Sequence, residues 1–127
     1  MISTIAAIAF AVLMGIVVLF QFGLALGLPW GEASMGGKYP GKYPPAMRVF
    51  SLLNMMILSA IGIIVLVRAD LLLPQLRTFS SIAIWFVVGF SVISTIMNLI
   101  TPSKIERTLW APTAVLLLLT SLVVALS

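Results

Sequence analysis

Three amide side chains are the most direct candidates for chemistry, because each stands within a long apolar run of the sequence. Gln21, Asn54 and Asn98 are flanked on both sides by aliphatic or aromatic residues. A primary amide donates and accepts hydrogen bonds, and it is costly to leave unpaired in an apolar medium. Each amide must therefore meet another protein group, water or a ligand. Thr95 lies about one helical turn before Asn98 and can share its face.

The charged residues form a second set of candidates. Glu32 and Arg48 border one polar segment of the sequence, and Glu106 and Arg107 border another. The planar guanidinium of either arginine pairs well with an anionic group. Contacts with lipid headgroups and helix capping account for the same four residues without any ligand. Both interpretations stay open.

The residue types that the sequence lacks exclude most catalytic chemistry. It contains no cysteine and no histidine, which removes thiol redox chemistry, thiolate and imidazole metal sites, and the side chain best suited to proton transfer near neutral pH. No nucleophile–base pair is visible among the remaining polar residues. We therefore expect no enzymatic activity, no catalytic residue, no metal and no cofactor. The net charge of +4 comes from scattered basic residues, which does not indicate nucleic-acid binding.

The elements that position these residues follow from hydropathy. Hydrophobic residues make up 62% of the chain and charged residues only 8%, whereas a soluble domain carries about a quarter charged residues. Four apolar stretches, at residues 2–28, 47–67, 79–100 and 104–126, are each long enough to cross a bilayer core of about 30 Å. The sequence predicts an all-α membrane protein with residues 1–127 in a single transmembrane domain. Its fold is a four-transmembrane-helix bundle with up-down-up-down topology.

This topology places the amides in one half of the membrane. The long loop 29–46 and the short connection between the third and fourth helices face the same side. At about 1.5 Å per helical residue, Gln21 and Asn54 lie about 10 Å from that side, with Thr95 at a similar depth and Asn98 nearer the surface. These side chains form either an interhelical hydrogen-bond network or a polar cavity open to that side.

The loop 29–46 also predicts the orientation of the chain. Trp30 has the apolar body and polar tip that suit a membrane interface, so the loop is either anchored along the surface or forms a lid over a pocket. Five of the seven basic residues lie on the side of this loop. The positive-inside rule therefore predicts a multi-pass protein of the cell membrane, with the first and third loops in the cytoplasm and both termini outside.

Local signals predict helix packing and one helix start. Gly23, Gly27 and Gly31 fall four residues apart, the spacing that lets helix backbones approach closely, and Gly89 offers the same in the third helix. These glycines favour a homo-oligomer. Ser103 and Glu106 form the pattern of a capping box, in which Ser103 is the N-cap and the Glu106 carboxylate returns to the Ser103 amide.

Short motifs at the same end of the bundle carry a family resemblance. The run Leu28-Pro29-Trp30-Gly31, followed by Met35-Gly36-Gly37, is accompanied by Glu106-Arg107 and Trp110-x-Pro112 near the fourth helix. Together they resemble a widespread group of small bacterial four-helix integral membrane proteins with a P-W-G-x4-G-G loop motif. The resemblance implies the four-helix fold and a bacterial origin. It implies no chemistry.

Two functional classes follow from these features. We expect a binding, scaffold or regulatory protein with a polar pocket near the first and third loops, whose partners are the lipid bilayer, further copies of the chain, and a small molecule or lipid headgroup. The alternative is a small transporter or channel subunit for a small or anionic solute. Small multidrug transporters of similar length need a glutamate in the first helix, where this chain has only Gln21. The candidate residues for a binding site or polar network are Gln21, Trp30, Arg48, Asn54, Thr95, Asn98, Glu106 and Arg107.

Overall fold

The computed structural model describes all 127 residues and contains four long helices. They are α1 (Ile2–Leu26), α2 (Pro45–Arg68), α3 (Arg77–Ile100) and α4 (Lys104–Leu126), and the structure has no β-strand. All four helices are long and apolar enough to cross a membrane. The predicted all-α, four-helix membrane fold is therefore confirmed.

The helix boundaries differ from the predicted ones by up to two residues. Helix α1 ends at Leu26 because Gly27 adopts a left-handed conformation with φ 89°. The Leu28 amide donates to the Gly23 carbonyl, and the Gly27 amide donates to the Leu24 carbonyl. These two bonds form a Schellman motif, which satisfies carbonyls at the helix end. Helix α2 begins two residues early, at Pro45, because proline fits the first helical position.

The four helices form a closed ring. Each helix packs against its neighbours in sequence, and α1 also packs against α4. Of these four contacts, the one between α2 and α3 is the least extensive. One half of the bundle, at the start of α1 and the end of α4, is filled by a buried apolar cluster that includes Phe10, Val65, Ile84 and Val124. The interior of this half is packed, and an apolar groove lined by Ile61, Phe86 and Phe90 lies between α2 and α3 on its surface.

Loop 1, residues 27–44, is folded back on itself over the other end of the bundle. It contains two short 3-10 helices, Gly31–Ala33 and Met35–Gly37. The Gly31 amide donates to the Gly41 carbonyl at 2.9 Å. A Cβ atom at Gly31 would clash with the Tyr39 carbonyl oxygen, so this close backbone approach requires glycine. The loop is thus a compact cover and not an extended connection.

The glycines predicted to pack helices together have other roles. Gly31 lies outside α1, and Gly27 is the left-handed residue that ends it, so the three glycines do not form a helical stripe. Gly23 faces the Trp30 ring of loop 1, and a Cβ atom at Gly89 would meet nothing within 4 Å. The predicted spacing therefore does not act along one helix, because α1 ends at Leu26, and packing of Gly89 against another copy of the chain stays a prediction.

Candidate functional site

A cavity of about 530 Å³ lies among the four helices, in the half of the bundle that faces loop 1 and the short connection at residues 101–103. All four helices contribute to its walls. Its polar side chains from the helices are Gln21, Asn54, Ser94, Asn98, Glu106 and Thr113. Its floor is formed by Met14, Leu58 and Leu117, which also belong to the packed apolar cluster of the other half. The cavity therefore ends inside the bundle.

The three predicted amides all line this cavity, and no hydrogen bond joins them to one another. The Asn98 amide nitrogen donates to the Ser94 carbonyl in its own helix at 2.7 Å. Gln21 is only 9% exposed, yet its amide makes no hydrogen bond within the protein, and neither does that of the half-buried Asn54. Of the two arrangements left open by the sequence, the interhelical network is not formed. The amides instead face a shared cavity.

Three side chains on one face of α4 hold the backbone of loop 1 over the cavity. The Ser103 hydroxyl donates to the Glu32 carbonyl at 2.6 Å, and the Trp110 indole donates to the Ala33 carbonyl at 2.9 Å. Between them, Glu106 Oε1 accepts the Gly36 amide at 3.2 Å. Positions three and seven residues apart share a helix face, so α4 presents these groups in a row. Loop residues 33–36 thereby form the roof of the cavity.

The predicted capping box is only half formed. The Ser103 hydroxyl accepts the Glu106 amide at 3.2 Å, so Ser103 is the N-cap of α4, as predicted. The Ser103 amide, however, donates to the Thr101 hydroxyl at 3.3 Å and not to the Glu106 carboxylate. The prediction for Glu106 is wrong because Gly36, 70 positions away in sequence, provides the amide that its carboxylate accepts.

Three other predicted site residues do not reach the cavity. The Arg48 Nε donates to the Ala25 carbonyl at 2.8 Å, and the Arg107 Nη1 donates to the Thr101 carbonyl at 2.9 Å. Both arginines thus cap the C-terminal ends of helices, where carbonyls lack intrahelical partners and a positive charge is favourable. The Thr95 hydroxyl, finally, donates to the Ser91 carbonyl within α3. The predicted contact between an arginine and an anion in the pocket is not supported by this arrangement.

Trp30 lies outside the cavity in an aromatic cluster between α1 and α4. Its ring stacks on Phe20 with 6.0 Å between centroids, and Phe20 in turn contacts Trp110 at 4.8 Å. Phe20 and Trp110 line the cavity, whereas Trp30 lines a shallower neighbouring groove. Neither Phe20 nor the Trp110 side chain was predicted to belong to the site. The spacing of Trp110, seven residues after Ser103, was the available signal.

Tyr43 is a further residue that sequence reasoning missed. Its side chain is 2% exposed, and its hydroxyl has no hydrogen-bond partner. Burial raises the pKa of Tyr43 above its ordinary value of 10.0, and the nearby negative charge of Glu106 raises it further. The Ser34 side chain partly offsets this rise, although no hydrogen bond of standard geometry joins it to Tyr43. Tyr43 is therefore a neutral side chain buried against the roof at physiological pH.

Comparisons with known proteins do not suggest an activity. The chain matches no model of a protein family, no curated protein and no solved structure. The structure also brings together no group of three His, Cys, Asp or Glu side chains that could hold a metal ion. The cavity and its roof are thus the features from which a function can be argued.

Proposed function

We propose that this chain is a multi-pass membrane protein that binds a small amphipathic molecule in the cavity beneath loop 1. The observation that carries the proposal is that amides from three different helices meet at one cavity without bonding to each other. Sites for small ligands are concave and mostly apolar, with a few polar groups, and have volumes of roughly 300–1,000 Å³. The cavity agrees with that description in size and in lining.

The free amides favour a ligand over a purely structural role. Gln21 and Asn54 form no side-chain hydrogen bond within the protein, and both line the cavity, where a bound molecule or water reaches them. An aliphatic side chain at either position would fill the same space without offering a hydrogen bond. A ligand with hydrogen-bonding groups pairs with these amides, as does water, and native mass spectrometry distinguishes the two.

Binding without chemical change fits the lining better than catalysis or passage does. Glu106 is the one ionisable side chain on the cavity wall, so there is no second acid or base to share a proton-transfer reaction. The floor of Met14, Leu58 and Leu117 joins the packed apolar cluster, so the cavity does not continue through the membrane. The alternative of a transporter or channel subunit therefore has less support.

The proposal includes an orientation in the cell membrane of a bacterium. Five of the seven basic residues lie on the side of loop 1, and the positive-inside rule favours that side as cytoplasmic. The cavity then lies in the cytoplasmic half of the bilayer, with both termini outside. A ligand would reach it from the cytoplasm or from the inner leaflet.

Native mass spectrometry of the gently extracted protein tests the proposal. We expect a stoichiometric extra mass on the unaltered protein that is lost in Gln21→Leu and in Asn54→Leu. Gln75→Leu is the matched control, because Gln75 is an exposed amide between α2 and α3, outside the cavity. A bare unaltered protein would indicate water in the cavity and overturn the proposal. The same spectra count subunits, which tests the predicted homo-oligomer.

A further inference from the structure

The cavity contains a negative charge that no positive side chain neutralises. Glu106 Oε1 accepts the Gly36 amide, and the second carboxylate oxygen makes no hydrogen bond. The one ion pair of the molecule joins Arg77 to Asp70 beside the other end of the bundle, so Glu106 has no salt bridge. Since Glu106 is half-buried among apolar residues, its charge acts over the cavity with less screening than at an open surface.

The positive groups at this end of the bundle are directed elsewhere. The Arg48 and Arg107 guanidiniums donate to carbonyls at helix ends, and neither lines the cavity. No lysine lines it either. An anionic ligand would therefore meet a carboxylate and no cation, which costs free energy in a site of low dielectric. Among the residues that line the cavity, the one charge is negative, which favours a cation there.

We infer that the ligand is an amphipathic organic cation whose positively charged nitrogen lies against Glu106. The inference rests on the proposed function of the cavity as a binding site. The indole of Trp110, held by its bond to the Ala33 carbonyl, and the neighbouring Phe20 ring provide aromatic faces, which attract cations. The amide oxygens of Gln21 and Asn54 are free to accept N–H groups. The apolar part of the ligand lies on the floor of the cavity.

This chemistry has two sources, a free amine and the ammonium of a lipid headgroup. Both present a positively charged nitrogen, which in a free amine is attached to the apolar body and in the headgroup is separated from it by a phosphate that must lie outside the cavity. The cavity is lined in part by Met97 and Ile100, whose side chains are exposed on the outer surface of α3. A molecule dissolved in the bilayer can therefore approach the cavity from the side, which suits either source.

A matched series of ligands tests the charge. Octylammonium, octanol and octanoate share one chain length and differ in the head group, and their binding is measured by tryptophan fluorescence in micelles of an uncharged maltoside detergent at neutral pH. We expect octylammonium to bind at least about tenfold more tightly than octanol, as a charged hydrogen bond implies. Octanoate should bind more weakly than octanol.

Two isosteric variants locate the charge. Glu106→Gln keeps an oxygen that can accept the Gly36 amide but removes the negative charge, so the preference for octylammonium should fall to about twofold or less. Glu32→Gln is the matched control, because Glu32 is an exposed carboxylate of loop 1 outside the cavity lining, and it should leave the preference unchanged. If Glu106→Gln does not fold, the order of the three affinities measured on the unaltered protein still tests whether the cavity prefers a cation.

The outcomes separate this inference from the function on which it rests. Equal binding of the three head groups, or tighter binding of octanoate, overturns the cation and leaves the binding site standing. No binding of any member, together with a bare protein in the native spectrum, overturns both. A preference for octylammonium that survives Glu106→Gln assigns the charge to another residue and contradicts the inference.

An experiment with added lipids distinguishes a free amine from a lipid headgroup as the source of the charged nitrogen. Phosphatidylethanolamine or phosphatidylglycerol is added to the micelles, and native mass spectra record which lipid stays bound. Retained phosphatidylethanolamine that octylammonium displaces indicates the headgroup as the source, and bound octylammonium with no retained lipid indicates a free amine. Both results support the charged nitrogen. Preferential retention of phosphatidylglycerol, whose headgroup is anionic, overturns it.

Discussion

Trp30 rests on Gly23 because nothing larger than hydrogen fits beneath its ring. A Cβ atom built on Gly23 would overlap the indole carbons. We expect Gly23→Ala to displace Trp30 from its stack on Phe20 and to destabilise the protein by about 1–3 kcal/mol, as overpacking does. The midpoint of thermal unfolding and the emission maximum of the tryptophans in detergent measure both effects.

Gly15 provides the control for this change in the same helix. It is exposed, and a Cβ atom there would meet nothing within 4 Å. Gly15→Ala should leave the unfolding midpoint unchanged or slightly higher, because alanine favours a helix more than glycine does. Equal destabilisation by Gly15→Ala and Gly23→Ala would show that the Trp30 contact contributes nothing.

Tyr43 should make loop 1 less stable at alkaline pH. Its pKa in the folded protein is raised by burial, so folding favours the protonated hydroxyl. That contribution is fully present below pH 10.0, the ordinary value, and is lost as the pH rises through the folded-state pKa. Tyr43→Phe removes a hydroxyl without a partner, so it should leave stability at pH 7 unchanged or slightly higher.

The measurement for Tyr43 is the unfolding midpoint from pH 7 to pH 11. The variant should become progressively more stable than the unaltered protein above pH 10.0. Tyr39→Phe is the control for loss of a phenol from the same loop, since Tyr39 is less buried. A difference between Tyr43→Phe and the unaltered protein that stays constant with pH would contradict the burial argument.

At the scale of elements, the start of α4 fastens loop 1 through side chains that bond to backbone groups. Ser103 takes part twice, as the N-cap of α4 and as the donor to the Glu32 carbonyl. Ser103→Ala removes both bonds, and loss of an N-cap alone costs about 1 kcal/mol. Because proteolysis follows the population of the open form, trypsin should cut loop 1 after Lys38 or Lys42 about fivefold faster.

Ser59→Ala is the control for the loss of a serine hydroxyl. Ser59 is exposed on α2, and its hydroxyl donates to the Met55 carbonyl of the same helix. Its removal should not change the cleavage of loop 1, which mass spectrometry of the fragments quantifies. Identical rates for Ser103→Ala and the unaltered protein would show that other contacts hold the roof.

Some features of the helices and loops could be predicted from the sequence, and others could not. Helix number and the placement of Gln21 and Asn54 in the same half of the bundle follow from hydropathy and helical rise, which are local properties, and both could be predicted. The partner of Glu106 could not, because it is the backbone amide of Gly36, 70 residues away. The predicted row of glycines along α1 does not form, because Gly27 adopts a left-handed conformation and ends the helix.

As a whole molecule, the bundle is divided into two unlike halves. The half that contains Phe10 and Val124 is packed with apolar side chains, whereas the half beneath loop 1 contains a cavity with amides and one carboxylate. Apolar side chains of suitable volume could have filled both halves, since protein interiors are normally close-packed. The asymmetry places the polar candidates Gln21, Asn54 and Glu106 on the side of loop 1, whereas the other half has only an apolar groove between α2 and α3. The proposed function thus depends on which compartment that side faces.

The orientation can be measured directly because the chain contains no cysteine. We expect Gln75→Cys, between α2 and α3, to react with a membrane-impermeant maleimide in intact cells. Lys42→Cys, in loop 1, should react only after the cells are permeabilised, since the positive-inside rule predicts that the side with five of the seven basic residues faces the cytoplasm. Both positions are exposed, so labelling reports which side of the membrane each position faces and not how deeply it is buried. The reverse pattern would place the cavity in the outer leaflet, and labelling of both variants in intact cells would indicate a mixed topology.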